Sequence, residues 1–175
     1  MQIIQDKISK STLKACIQFA ESASYNSLHG AGDSSYGFKY SVYDTDKIAC
    51  FNQLYQELIP YIPDGYKIHR SYINAMSYGM EDTIHQDDPD IKEGLTLLIY
   101  LCNSWFPEWF GQTVFFNNTQ NGREKGFFDA EIIESILPKY NRAILFDKNT
   151  HHCVAPMSKR FNGVRYTCMF KLKKI

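Results

Sequence analysis

Two hydrophobic periodicities divide the chain near residue 65. Before it, apolar residues recur every three or four positions, the spacing of one helix face; after it, they fall in short alternating runs, the spacing of strands. Leu13, Ile17 and Ala20 predict a first helix, with Ser11 or Thr12 as its cap. A Gly/Ser-rich stretch from Ser27 to Gly37 reads as a loop. Ile48, Phe51, Leu54, Tyr55 and Leu58 form the stripe of a second helix, capped within Asp44 to Asp46 and ended by Pro60 and Pro63. Eight β-rich runs follow: Tyr66 to Tyr78, Thr83 to Asp87, Gly94 to Cys102, Thr113 to Phe116, Ile132 to Leu137, Arg142 to Phe146, His151 to Ala155, and Val164 to Leu172. Turn signals separate them, and Asn117 to Gly126 is a polar, Gly-containing loop expected near a barrel mouth. The pattern predicts a mainly β (α+β) fold: a double-sheet jelly roll or barrel with N-terminal flanking helices. One domain spanning 1–175 is expected, with 1–64 as the helical flank and 65–175 as the jelly-roll core.

Composition changes this picture little. A chain of 175 residues with 44% apolar content can bury one core. Twelve Tyr and twelve Phe agree with strands. The 19 basic and 19 acidic residues cancel, so no bulk field gathers phosphates. The five cysteines are odd in number and none has C-x-x-C spacing, which points to reduced thiols in a cytoplasmic protein. The polar stretch from Met1 to Lys10 has no apolar signal core, and no run of 18 apolar residues occurs, so no membrane association is expected.

The chemistry-bearing residues are few. On a strand, His85 and Asp87 point to one face and Gln86 to the other. An H-x-D triplet alone is a weak signal, and Asp87 could instead cap the turn at Asp88-Pro89. A third ligand would have to come from a distant strand. His152 shares a face with Val154 and Pro156 and is the choice; the adjacent His151 is the alternative. Two imidazoles and one carboxylate can hold a divalent iron on one face and leave its other positions open. Arg165, Thr167 and Met169 alternate inward on the last run, against Tyr166, Cys168 and Phe170 outward. An inward Arg165 needs an anion, either a bidentate carboxylate ligand or a protein acid. Thr167 can donate a hydroxyl to the same anion, while Arg160 lies in a turn-like segment and is the rival. Thr96, Leu98 and Tyr100 share a face, so Tyr100 either donates its phenol to that anion or is an ordinary core tyrosine. Asn74, eleven positions before His85, could donate an amide to the far end of the ligand, or serve a bulge or turn.

With these residues in place, Tyr72 to Lys173 resembles the iron(II)- and 2-oxoglutarate-dependent dioxygenases of the prolyl 4-hydroxylase-like kind, in phage and bacterial forms. The run from Gly94 through Tyr100-Leu101-Cys102-Asn103 is similar to the family's strand ending Tyr-Leu-Asn. Phe110-Gly111-Gln112-Thr113-Val114-Phe115 resembles its Gly-Gly-Glu-Thr-x-Phe turn and strand. Pro138 to Asp147 resembles its Pro-Lys-x-x-Arg-x-x-x-Phe segment. His152-Cys153-Val154-Ala155-Pro156 matches H-x-V-x-P, and Arg165-Tyr166-Thr167 matches R-x-S/T. The resemblance implies a double-stranded β-helix. It implies Fe(II) held by His85, Asp87 and His152, and 2-oxoglutarate held by Arg165, Thr167 and Tyr100. No catalytic residue is implied beyond the metal ligands. The reaction would consume 2-oxoglutarate and O2, release succinate and CO2, and draw on ascorbate as a supporting reductant. The chain departs from the pattern at Gln112 and in the slightly long spacing between His152 and Arg165.

Three substrate readings compete. The first is hydroxylation of a peptidyl prolyl residue in a peptide or protein. The second is nucleic-acid dealkylation, since His85-Gln86-Asp87 with Asn74 upstream resembles that branch too. Lys171, however, stands where that branch has a second Arg, and the neutral charge disfavours nucleic acid as a partner. The third is a cupin-like domain that binds a metal or small ligand without oxygenation. Trp105, Phe106, Trp109 and Phe110 form an aromatic cluster that could receive a flat ring or pack as a hydrophobic lid.

Overall fold

The run from Gly94 to Leu101 is apolar on both faces, so that strand needs cover on two sides. The computed structural model, which describes residues 1–28, 39–80, 82–117 and 130–175, supplies that cover. In chain order the elements are β1 (Gln2–Gln5), α1 (Lys10–Ser22), β2 (Asn26–Leu28), β3 (Lys39–Tyr43), α2 (Ala49–Leu58), β4 (Tyr66–Ser77) and β5 (Gly94–Leu101). Then come β6 (Thr113–Phe116), β7 (Ile132–Ile136), β8 (Arg142–Asp147), β9 (His152–Val154) and β10 (Val164–Lys174). The larger sheet has seven strands in the order β1-β8-β5-β10-β4-β3-β2, and the smaller has three in the order β7-β6-β9. The strand pairs are antiparallel. The fold is the jelly roll that the strand pattern predicts.

The strand alternation sorts the core into two layers. Leu97, Ile99 and Leu101 of β5 and Cys168, Phe170 and Leu172 of β10 face α1 and α2, where they join Leu13, Ile17, Phe51, Leu54 and Leu58 in one buried cluster. Leu98 and Tyr100 of β5 and Met169 of β10 face the other way and meet Phe115 and Ile136 of the smaller sheet. Fully burying a side chain of this size contributes about 1.5–3 kcal/mol.

Several local expectations shift. Ser9, not Ser11 or Thr12, caps α1: its hydroxyl oxygen accepts from Thr12 N at 3.2 Å. Thr12 instead donates to Glu57 Oε1 at 2.7 Å, which ties the start of α1 to α2. Asp44 to Asp46 do not cap α2; Thr45–Lys47 form a 3-10 turn, and α2 begins after Ile48 without a side-chain cap. Asp46 is drawn away to Ser71 of β4, whose Oγ accepts from Asp46 N at 2.8 Å. The segment expected as a helical flank also supplies β1, β2 and β3, polar and short strands without a clear alternation. Thr83 to Asp87 is not a ladder strand; only His85 makes a bridge, to His152. Of the two expected loops, the stretches 29–37 and 118–126 lie outside the described residues. The five cysteines are free thiols, and among the described residues no helix is long and apolar enough to cross a membrane.

Phe170 is fully buried and packs on Tyr55 of α2 with ring centroids 5.2 Å apart. Phe170→Ala should therefore cost about 3–5 kcal/mol in denaturant unfolding. Ile133→Ala, at an exposed position of β7, should stay within about 0.5 kcal/mol. A Phe170 loss as small as the Ile133 one would mean that the helices do not close this face of the sheet.

Candidate active site

One backbone exchange brings the two histidines together. His85 N donates to His152 O at 3.0 Å, and His152 N donates to His85 O at 2.9 Å. Residues paired in this way across antiparallel strands put their side chains on the same face. The two imidazoles consequently stand with centroids 4.4 Å apart. Asp87 follows His85 by two residues, held where its N donates to Lys148 O at 2.9 Å. Its carboxylate closes the group: Oδ1 is 3.8 Å from His85 Nε2 and Oδ2 is 3.7 Å from His152 Nε2. One ligand atom from each of the three lies within 4.8 Å of the others.

Hydrogen bonding sets the protonation of this group. His85 Nδ1 lies 2.8 Å from Thr83 O, and His152 Nδ1 lies 2.9 Å from Thr150 O. A carbonyl only accepts, so Nδ1 donates in both rings, and each Nε2 is turned toward Asp87. Burial pushes His152 down to about 4 against the pull of Asp87, so the ring is neutral at neutral pH. Burial alone would raise the Asp87 carboxyl. Lys171, His152 and hydrogen bonds from Lys171 and Thr96 outweigh it and hold the carboxyl far below the usual range. Two imidazoles held by their Nδ1 bonds and one ionised carboxylate form a donor set that fits a divalent iron.

Arg165 sits farther along the same cavity, 1% exposed. Its Nε donates to Gly111 O at 2.8 Å and its Nη2 to Thr113 Oγ1 at 3.3 Å, and its guanidinium lies 5.3 Å from the centre of the Tyr100 ring. Gly111 can present that carbonyl because it adopts φ +70, with Met157 and Trp105 packed close against it. These bonds use two of the five guanidinium donors. Among the described residues no carboxylate lies within ion-pair distance of Arg165. Asp82, which lines the same cavity, attracts it from beyond ion-pair distance, and the guanidinium donors left over have the fork that suits a carboxylate.

The other expected residues fall as follows. Thr167 lines the cavity beside Asn74, its direct partner across β4 and β10. Tyr100 is Thr167's partner on β5, but its hydroxyl donates to Ile136 O at 2.9 Å and lies 2.7 Å from Thr113 Oγ1. It thus braces Thr113, which does line the cavity. Arg160 is exposed, and His151 does not line the cavity. Trp105, Trp109 and Phe161 pack on one another with centroids 4.8 to 5.4 Å apart, beside Met76 and Met157. Phe106 and Phe110 are half exposed. Sequence reasoning gave no site role to Thr96, which it turned inward with Tyr100, to Lys171, which it noted only against the dealkylase pattern, or to Thr113. The alternation that turns Arg165 inward also turns Lys171 inward, and that was the available signal.

The sequence profile of the 2OG-Fe(II) oxygenase superfamily matches residues 64–170. The chain belongs to this superfamily. Iron(II) and 2-oxoglutarate are its cofactor and cosubstrate, with O2 as the oxidant. No curated protein matches the chain by sequence. Solved structures share the fold at low identity. A prolyl 4-hydroxylase from Pseudomonas putida matches with TM-score 0.69 and 13% identity, over 99% of this chain and 92% of that one. A prolyl hydroxylase from Trichoplax adhaerens, in complex with a hypoxia inducible factor peptide fragment, matches with TM-score 0.72 and 17% identity, over 99% and 82%. HygX from Streptomyces hygroscopicus, with nickel, 2-oxoglutarate and hygromycin B bound, matches with TM-score 0.73 and 13% identity, over 98% and 82%. This oxygenase therefore shares its fold with enzymes bound to very different molecules.

His152→Ala should abolish the charge-transfer absorbance of anaerobic Fe(II) with 2-oxoglutarate, and His151→Ala should largely keep it. The reverse outcome would exchange the two histidines.

Proposed function

We propose that this oxygenase hydroxylates a peptidyl substrate, most simply a prolyl residue. In this reading His85, Asp87 and His152 hold Fe(II), and Arg165, Thr167, Tyr100 and Asn74 form the 2-oxoglutarate side. The observation that carries the cosubstrate assignment is the burial of Arg165 with no carboxylate in ion-pair distance among the described residues, in the same cavity as the three ligands. When bound, iron(II) supplies the oxidising chemistry: O2 converts 2-oxoglutarate to succinate and CO2, and its second oxygen atom enters a C–H bond of the substrate.

The protein's share is orientation. Thr83 O and Thr150 O hold the two imidazoles by their Nδ1 bonds. Arg165, steadied by Gly111 O and Thr113, meets the far carboxylate of the cosubstrate. Tyr100 acts on that end through Thr113. Asn74 and Thr167 offer side-chain donors midway along the cavity. Leu98, Met169 and Met76 line the wall between and exclude water from the cosubstrate's methylenes.

Support for a peptidyl substrate comes from the likeness to prolyl hydroxylases and from the surface. The half-exposed rings of Phe106 and Phe110, beside the Trp105, Trp109 and Phe161 cluster, offer an apolar surface that suits a pyrrolidine ring. The formal charge of zero gives no field for phosphates.

Two measurements test the reading. Arg165→Ala should weaken 2-oxoglutarate binding by about 2–4 kcal/mol, the scale for truncating one partner of a buried charge pair; Arg160→Ala should change it little. Equal effects would remove Arg165 from the cosubstrate site. Proline-containing peptides should stimulate succinate release, whereas methylated single-stranded DNA and RNA should not. Dealkylation of the nucleic acids with no response to any peptide would overturn the substrate class and leave the metal site standing.

A further inference from the structure

Lys171 is a buried cation whose partner is itself a proposed metal ligand. It is 1% exposed, and its ammonium forms an ion pair with Asp87 Oδ2. It also lies 3.1 Å from Thr96 Oγ1, and the Thr96 hydroxyl donates to the same Asp87 Oδ2 at 2.5 Å. Oδ2 thus accepts two hydrogen bonds, which fills its two lone-pair directions. Both oxygens face an imidazole, Oδ1 that of His85 at 3.8 Å and Oδ2 that of His152 at 3.7 Å, but Oδ1 takes no such pair of donors.

We propose that Lys171, together with Thr96, is a positioning residue that keeps Asp87 a one-oxygen metal ligand. The inference rests on the proposed function and deepens it. Two imidazoles and one carboxylate oxygen would hold a divalent iron on one face and would leave room on it for the cosubstrate and O2. A two-oxygen carboxylate would take part of that room. In this chain both lone pairs of Oδ2 are committed to Lys171 and Thr96, so only Oδ1 is available to the ion.

Charge points the same way. Among the described residues, Arg165 and Lys171 are the cationic side chains lining the cavity, and Asp82 and Asp87 the carboxylates, so these four cancel. A divalent ion then leaves two positive charges, and a dianion such as 2-oxoglutarate neutralises them. Without the Lys171 ammonium the loaded cavity would carry a net negative charge, which a buried site resists. A pair kept for stability alone has weaker grounds, because apolar side chains of similar volume often replace buried ion pairs at no loss.

The test uses the full chain loaded anaerobically with Fe(II). Iron affinity is read by metal titration and 2-oxoglutarate affinity by the charge-transfer absorbance, with folding checked by circular dichroism. Lys171→Met should still bind iron, while its 2-oxoglutarate affinity falls about 10–100-fold, on the scale that losing the partner of a metal ligand costs in metal affinity or activity. Lys171→Arg should restore most of that loss. Thr96→Val, which removes the second donor to Oδ2, should lose affinity in the same direction and to a smaller extent. Unchanged 2-oxoglutarate affinity in iron-loaded Lys171→Met overturns the proposal. So does loss of iron as complete as in Asp87→Ala, since the residue would then only hold Asp87 in place. If Lys171→Met does not fold, Thr96→Val and Lys171→Arg decide: weakened chelation in the first with near-normal chelation in the second supports the proposal, and normal chelation in Thr96→Val sinks it. Absence of iron-dependent 2-oxoglutarate binding in the unaltered chain would sink the proposed function itself, which is a distinguishable failure.

Discussion

The inward face of β10 places two cations inside a barrel, and the rest of the cavity answers them. Arg165 and Lys171 are six residues apart on that strand, roughly 20 Å along it, and each is 1% exposed. An isolated charge in such a place costs many kcal/mol unless it is paired. Lys171 finds Asp87. Arg165 finds a carbonyl, a hydroxyl and the face of Tyr100, but no protein acid within ion-pair distance among the described residues. One end of the cavity is therefore balanced by the proposed metal ligand itself. At the other, the proposed partner of Arg165 is 2-oxoglutarate, the cosubstrate of the 2OG-Fe(II) oxygenase superfamily.

Rigidity follows from how the same strand is used on its other face. Cys168, Phe170 and Leu172 are locked under α1 and α2, so the residues between them cannot shift along the strand without exposing that layer. Arg165, Thr167, Met169 and Lys171 are thereby held in register against β4 and β5. His85 and Asp87 have less strand support, with one bridge to His152 and one bond to Lys148 O. The contacts of Asp87 with Lys171 and Thr96 compensate by tying this segment to β10 and β5. Side chains on ordered strands thus position the one that is not on a ladder.

The solved relatives put a limit on what the fold says. The same architecture holds a peptide fragment in one and hygromycin B in another. A shared barrel carries the metal and cosubstrate chemistry, while the substrate is met by whatever surrounds the mouth. In this chain the half-exposed Phe106 and Phe110 stand out, beside the Trp105, Trp109 and Phe161 cluster.

Much of this was legible in the sequence because strand alternation is a local rule. A period of two is enough to place Leu97 against the helices and Leu98 in the barrel, and to turn Arg165 and Thr167 inward. The resemblance of short motifs then suggested which inward residues share a site. Where the rule is local but the outcome depends on competition, the sequence misled. Ser9 rather than Ser11 or Thr12 caps α1, because Glu57 draws Thr12 away across a separation of 45 residues. Tyr100 faces inward as its alternation requires, yet only tertiary packing decided that its hydroxyl goes to Ile136 and Thr113. The contact of Lys171 with Asp87 spans 84 positions, and no periodicity encodes which two inward charges will meet. The amino-acid pattern by itself determined the faces of the strands and the candidate donors on them. Tertiary structure alone decided which of those donors converge, because convergence is set by sheet order and register, through partners far apart in the chain.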